Sequence, residues 1–326
     1  MIRRREIITL LGGAGVAWPQ AVRAQQVERV RRVGVLTPAD TDATPIFAAF
    51  RRALSLLGYV EGRTIRLEFR FGKGNPTALP GLAAELVRLP VDVMVTDSMG
   101  AAIAAFGATR SIPIVMGTSI DPIEAGLVVS IARPGGNVTG LTIRATDLAG
   151  KRMQLLKRAF PGTSHVIGLA NGSNPGAQPI LRASEKVATD VGVRVTPLFV
   201  HTPQDLLGLG PESLKGGDGL ITFPDAMLWN HRATIIALAA TARVPAIYPE
   251  REFPEDGGLI AYGPSIPDAF RKAAGYVDRI LKGARPADLP IEEPSRFDFV
   301  VNLRSARALN LVPEGNFLIE ADEVIE

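Results

Sequence analysis

The chain is 326 residues long, with 36 basic and 33 acidic side chains, three histidines and no cysteine. Without cysteine it can form no disulfide, thiolate metal site, catalytic thiol or lipidated N-terminal cysteine. Four of the basic residues and one acidic one fall in the first 24 positions, leaving 32 of each, so the charge balance gives no case for nucleic acid or an anionic membrane surface.

Residues 1–26 read as an export leader. Arg3, Arg4 and Arg5 form a positive start, Ile7 to Val16 an apolar stretch too short to span a bilayer, and Val22-Arg23-Ala24 a small-residue cleavage site before Gln25. Arg4-Arg5-Glu6-Ile7-Ile8 resembles a twin-arginine signal, with Thr9 where a lysine is common, and an ordinary secretory signal is the alternative. The expected product is periplasmic, soluble and not a lipoprotein.

Short runs rich in Val, Ile and Leu follow at 33–37, 64–69, 91–95, 112–116 and 138–142. Between them, Ile46, Phe50, Leu54 and Leu57 share one face of a helix begun by Thr44-Pro45 and ended by Gly58. Leu82, Leu86 and Leu89 mark a second helix, and the Ala-rich run after Met99 a third. The cycle then restarts, with strands expected at 165–170, 193–200, 219–223, 245–248 and 259–262 and helices centred near Ala183, Leu207 and Ala237. A helix over 266–282, a Pro-rich connection over 285–294, and a strand at 297–301 followed by a helix through Leu309 complete the pattern. Strands alternating with helices predict parallel sheets, and two sets of similar size predict two α/β lobes.

In open α/β sheets ligands bind beyond the carboxyl ends of the strands, where helix starts offer free amides. The candidate ligand residues there are Thr37, Asp40, Thr96, Asp97, Ser98, Thr118, Ser119 and Asp121 in the first set, and Asn171, Ser173, Asn174, Asp225 and Tyr248 in the second, with Glu250 just beyond. Hydroxyls and amides around Ser98, Thr118 and Ser119 suit a ligand carboxylate, and Asp225 or Asp121 an ammonium. Both acids also fit plain capping roles. Asn171-Gly172 is a common turn pair, Tyr248 also fits a core position, and Trp229 could pack on its own lobe or face the cleft.

Catalytic signatures are missing from the sequence. His165, His201 and His231 have no partners at metal-ligand spacing, and neither a G-x-S-x-G elbow nor a phosphate loop occurs. No cofactor is expected.

Several ordered blocks carry a family resemblance: Gly58-Tyr-Val-Glu-Gly62, Ile120-Asp-Pro-Ile-Glu-Ala-Gly-Leu-Val128, Arg133-Pro-Gly-Gly-Asn-Val-Thr-Gly140, Asp278-Arg-Ile-Leu-Lys-Gly283 and Pro286-Ala-Asp-Leu-Pro290. From about Arg32 to Pro313 the chain resembles the ABC transporter substrate-binding family that includes binders of tryptophan, tyrosine and phenylalanine. The resemblance implies a type I periplasmic binding protein fold, two α/β lobes joined by three crossovers, closing by a hinge over a small solute. By that analogy residues 27–142 with 263–290 form lobe 1, and 143–262 with 291–326 form lobe 2. It further implies an amino acid or related ligand, a monomer, and an ABC permease in the inner membrane as partner. A periplasmic sensor delivering the closed form to a receptor is the alternative, and a periplasmic hydrolase a weaker one.

Overall fold

The computed structural model describes residues 29–311, 313 and 316–326, and the predicted leader lies outside them. Strands β1 (Arg31–Thr37), β2 (Ile65–Phe71), β3 (Val93–Thr96), β4 (Ile114–Met116) and β5 (Val138–Gly140) form one parallel sheet in the order β2-β1-β3-β4-β5. The second sheet contains β6 (His165–Asn171), β7 (Arg194–Val200), β8 (Gly219–Thr222), β9 (Ala246–Tyr248), β10 (Ile260–Pro264), β11 (Phe297–Asn302) and β12 (Glu323–Ile325). Its order is β12-β11-β10-β9-β8-β6-β7, and only the β10–β11 pair is antiparallel. The two predicted α/β sets are therefore two sheet-based lobes.

The helices of the first half are α1 (Pro45–Leu56), α2 (Leu79–Arg88) and α3 (Met99–Ala108). Those of the second are α4 (Ala145–Ala159), α5 (Ala177–Asp190), α6 (Pro203–Leu207), α7 (Ala226–Asn230), α8 (Arg232–Ala242) and α9 (Glu252–Glu255), followed by α10 (Ile266–Leu281) and α11 (Leu303–Leu309). Thr44 caps α1 with Pro45 in its first turn, as the sequence predicts, and the helix buries Phe47, Phe50, Ala53 and Leu54. Opposite it lies α10, whose Phe270 ring stands edge-on to Phe47 and Phe50 with centroids 5.6 and 6.2 Å apart. Edge-to-face contact is a preferred aromatic geometry, so this late helix covers the first sheet although the strand before it belongs to the second.

The chain thus passes between the lobes after β5, after β10 and before β11. Two of these passages run side by side: the Glu292 amide donates to the Gly140 carbonyl at 2.9 Å, and the Thr142 amide to the Glu292 carbonyl at 3.0 Å. Arg144 adds a 3.2 Å contact to Glu293. The long helix α4, the short helix α9 and the short edge strand β12 were not anticipated from the sequence.

Candidate functional site

A cavity of about 370 Å³ opens between the lobes at the carboxyl ends of both sheets. That is the size of a small-molecule site. Asp97 and Ser98 follow β3, and Thr118 and Ser119 follow β4; from the other lobe come Asn171, Ser173 and Asn174 at the end of β6, Asp225 after β8 and Glu250 after β9. Ile120, Ile143, Met227 and Ile266 give it apolar surface, and Trp229 supplies an aromatic side chain. Among the described residues four carboxylates line it, Asp97, Asp225, Glu250 and Glu252, and no lysine or arginine does.

On the first wall, Asp97 accepts a 2.6 Å hydrogen bond at Oδ2 from the Thr37 hydroxyl, while its Oδ1 is buried with no partner among the described residues. Burial raises the Asp97 carboxyl to about 7, the Thr37 bond only partly opposing it. Ser98 caps α3, its Oγ accepting from the Ala101 amide at 3.2 Å, so the hydroxyl proton is left to donate. Met99 and Gly100 also line the cavity and carry the first amides of α3, which have no intrahelical acceptor. A helix start with a free hydroxyl is a ready acceptor site for a carboxylate.

On the opposite wall Asp225 caps α7. Its Oδ1 accepts from the amides of Met227 at 2.8 Å and Leu228 at 3.2 Å, and its Oδ2 from the side-chain amides of Asn171 at 3.1 Å and Asn174 at 2.9 Å. Four bonds fill the acceptor capacity of a carboxylate. Burial still raises the Asp225 carboxyl, against the opposing effect of these bonds. Burial pushes Glu250 well above the usual carboxylate range, with Glu252 and Asp225 acting the same way and Arg152 and Arg232 against them.

Of the sequence-predicted residues, Asp97, Ser98, Thr118, Ser119, Asn171, Ser173, Asn174 and Asp225 line the cavity. Thr118 and Ser119 do so with their hydroxyl protons already given to the carbonyls of Asp97 at 2.7 Å and Leu141 at 3.1 Å, so they are not free donors for a carboxylate. The other five lie elsewhere. Thr37 is buried beneath Asp97, Thr96 is fully buried in the sheet, and Asp40 is exposed outside the cavity. Asp121 accepts from the amides of Ile123 and Glu124 and so caps a turn, not a helix. Tyr248 is a core residue stacked on Phe253 at 4.4 Å, because all three residues of β9 are buried. Glu250 and Glu252, beside Pro249 in the sequence and expected there as a solvated pair with no acid–base role, both line the cavity, and the apolar lining was not picked out beforehand.

The family model for ABC transporter substrate binding proteins matches residues 32–325. A tyrosine-binding protein of Clostridioides difficile is 25% identical over 263 residues, covering 80% of this chain and 75% of that one. Among solved structures, a Streptococcus pneumoniae domain in complex with L-Trp superposes with a TM-score of 0.84 at 23% identity, covering 90% of this chain and 99% of that one. The ligand-free, open structure of a C. difficile substrate-binding protein with adhesive properties gives 0.65 at 25% identity, covering 91% and 99%. With its two α/β lobes and a match spanning nearly all of its described length, the chain belongs to the ABC transporter substrate-binding protein family, whose members bind solutes and are not enzymes.

Proposed function

We propose that this protein is the extracytoplasmic receptor of an ABC importer and captures an amino acid, with an aromatic side chain favoured, in the interlobe cavity. The observation that carries the reading is that donors and an unpaired acceptor meet in one cavity: a helix start with free amide and hydroxyl donors at Ser98 suits the ligand carboxylate, while the unpaired oxygen of Asp97 beside it and Glu250 on the opposite wall suit its ammonium. Asp97, with one open buried oxygen, and Glu250 are better placed to accept that ammonium than Asp225, whose oxygens are occupied. Trp229 and the apolar lining would hold the side chain. The tyrosine-binding and L-Trp-bound relatives support the same ligand class.

The lobes close over the ligand by rotation about the three crossovers. Two of these passages lie side by side through the hydrogen bonds between Gly140, Thr142 and Glu292, a compact pivot for such a motion. Thermal unfolding of the leader-free protein against the standard amino acids tests the reading. A true ligand at about a hundred times its Kd should add about 2.7 kcal/mol of stability. No shift with any amino acid would overturn the assignment of ligand class. An unchanged radius of gyration at proven saturation would overturn closure.

A further inference from the structure

Arg152 on α4 has no solvent exposure, and its surroundings do not satisfy it. One terminal nitrogen, Nη1, donates to the Tyr262 carbonyl at 3.1 Å, whereas Nε and Nη2 have no partner among the described residues. A buried cation left this way is costly, and apolar residues of similar volume would serve packing as well or better. Its charge acts on Glu250, and that of Glu250 acts on it. Sheet register explains the proximity. Tyr248 on β9 pairs with Ala261 on β10, and beyond that pair the strands stay so close that a Cβ on Gly263 would lie 1.8 Å from the Pro249 carbonyl oxygen. The Tyr262 carbonyl held by Arg152 is therefore next to the chain that delivers Glu250 to the cavity.

We propose that Arg152 is a positioning residue: buried behind the strand ends that carry Glu250 and without bonding to it, it supplies the counter-charge that keeps Glu250 ready for the ammonium group of the ligand. This rests on the amino-acid reading above. The charges that act on Glu250 are those of Arg152 on α4, Arg232 on α8, Glu252 on α9 and Asp225 before α7. Burial and the two acids favour the protonated form, and the two arginines favour the ionised one. Of the arginines, Arg232 is engaged elsewhere, pairing with Asp256 at 2.7 Å and lying over the Trp229 ring at 4.5 Å. Arg152 is the counter-charge with donors to spare. Affinity for an ammonium ligand should rise with pH as Glu250 ionises, and removing Arg152 should move that rise to higher pH.

The ligand-free protein gives a readout independent of ligand identity. Carbon-13 titration of glutamate carboxyls, with Glu250 assigned through Glu250→Gln, should show its midpoint moving up by at least about one pH unit in Arg152→Met and staying near wild type in Arg152→Lys. Methionine keeps the aliphatic stem of the side chain and removes the charge, and if Arg152→Met fails to fold, Arg152→Gln, which removes the charge and keeps a donor for the Tyr262 carbonyl, should show the same upward move, an unmoved midpoint there again overturning the proposal. An unmoved midpoint in folded Arg152→Met, or Glu250→Gln binding within twofold of wild type, overturns the proposal. Calorimetry with L-tryptophan and L-tyrosine between pH 6 and 8.5 should show affinity tracking the Glu250 midpoint, with at least a tenfold loss and no remaining pH dependence from this group in Glu250→Gln. If wild type binds neither amino acid while the Arg152→Met midpoint moves, the amino-acid reading fails and the Arg152–Glu250 coupling stands.

Discussion

Asp97 and Asp225 stand at corresponding places in the two lobes, each just past a strand flanked on both sides by parallel neighbours, β3 between β1 and β4 and β8 between β6 and β9. Both line the cavity, and burial raises both carboxyls. They differ in what they have left to offer. Asp225 is closed by four hydrogen bonds from its own lobe, whereas Asp97 has one bond and one open buried oxygen. A strand-end carboxylate is thus structural or receptive according to its unused acceptor capacity, and its position alone does not say which.

Replacing both acids separates the two roles. Asp225→Ala removes the α7 cap and leaves the Asn171 and Asn174 amides without their acceptor, which should cost about 2–4 kcal/mol in denaturant unfolding. Asp225→Asn, in contrast, should bind ligand within about threefold of wild type. A tenfold or greater loss in that folded variant would erase the distinction between the two acids.

Asp97→Asn should do the opposite, weakening ligand binding at least tenfold, or about 1.4 kcal/mol, without loss of stability. Its sign with pH is fixed by the raised carboxyl. Between the ordinary value of 3.8 and about 7 the folded form holds a proton that the unfolded form has released, so this group makes stability fall as pH rises. The slope approaches about 1.4 kcal/mol per pH unit inside that window. Unfolding of wild type and Asp97→Asn at pH 5 and pH 7 should show wild type losing stability relative to the variant, and parallel behaviour would show that Asp97 titrates normally.

The smallest effect belongs to the rim, where Arg182 on α5 reaches Glu124 of the other lobe at 2.9 Å with both side chains more than half exposed. Exposed pairs contribute little and are screened by salt. Glu124→Gln should change ligand affinity by about twofold at low salt and by less at high salt. A large, salt-independent change would move part of the binding energy from the cavity walls to the rim.

The sequence showed the fold through its β-rich runs and helix starts, because the central strands β3, β4, β8 and β9 are short, buried and bounded by turn residues. It hid α4 for a physical reason. That helix has no side-chain cap, since Arg144 precedes it in a left-handed conformation with φ 49°, and its buried face is interrupted by Arg152, which breaks the apolar period that would have marked it. Tyr248 was ambiguous because β9 is buried on both faces, so alternation gives no direction. Residue type placed Asp97, Ser98 and Asp225 at the cleft, but the hydrogen-bond count that sets Asp97 apart depends on Asn171 and Asn174, brought to Asp225 only by the pairing of β6 with β8.

The packing of α10 on α1 also governs the order in which the protein can be made. During synthesis the first sheet is complete at β5, yet the face formed by Val33, Val35, Phe47 and Phe50 waits for Phe270 and its helix until β10 has been made. The second sheet in turn lacks β11 and β12 until the final stretch emerges. Neither lobe is a contiguous segment that can finish folding at the ribosome while the other is still being translated, so the usual domain-by-domain route from the N-terminus is closed to this chain. A nascent chain ending before Ile266 exposes an apolar sheet face, and it is at that stage that a chaperone has most to bind.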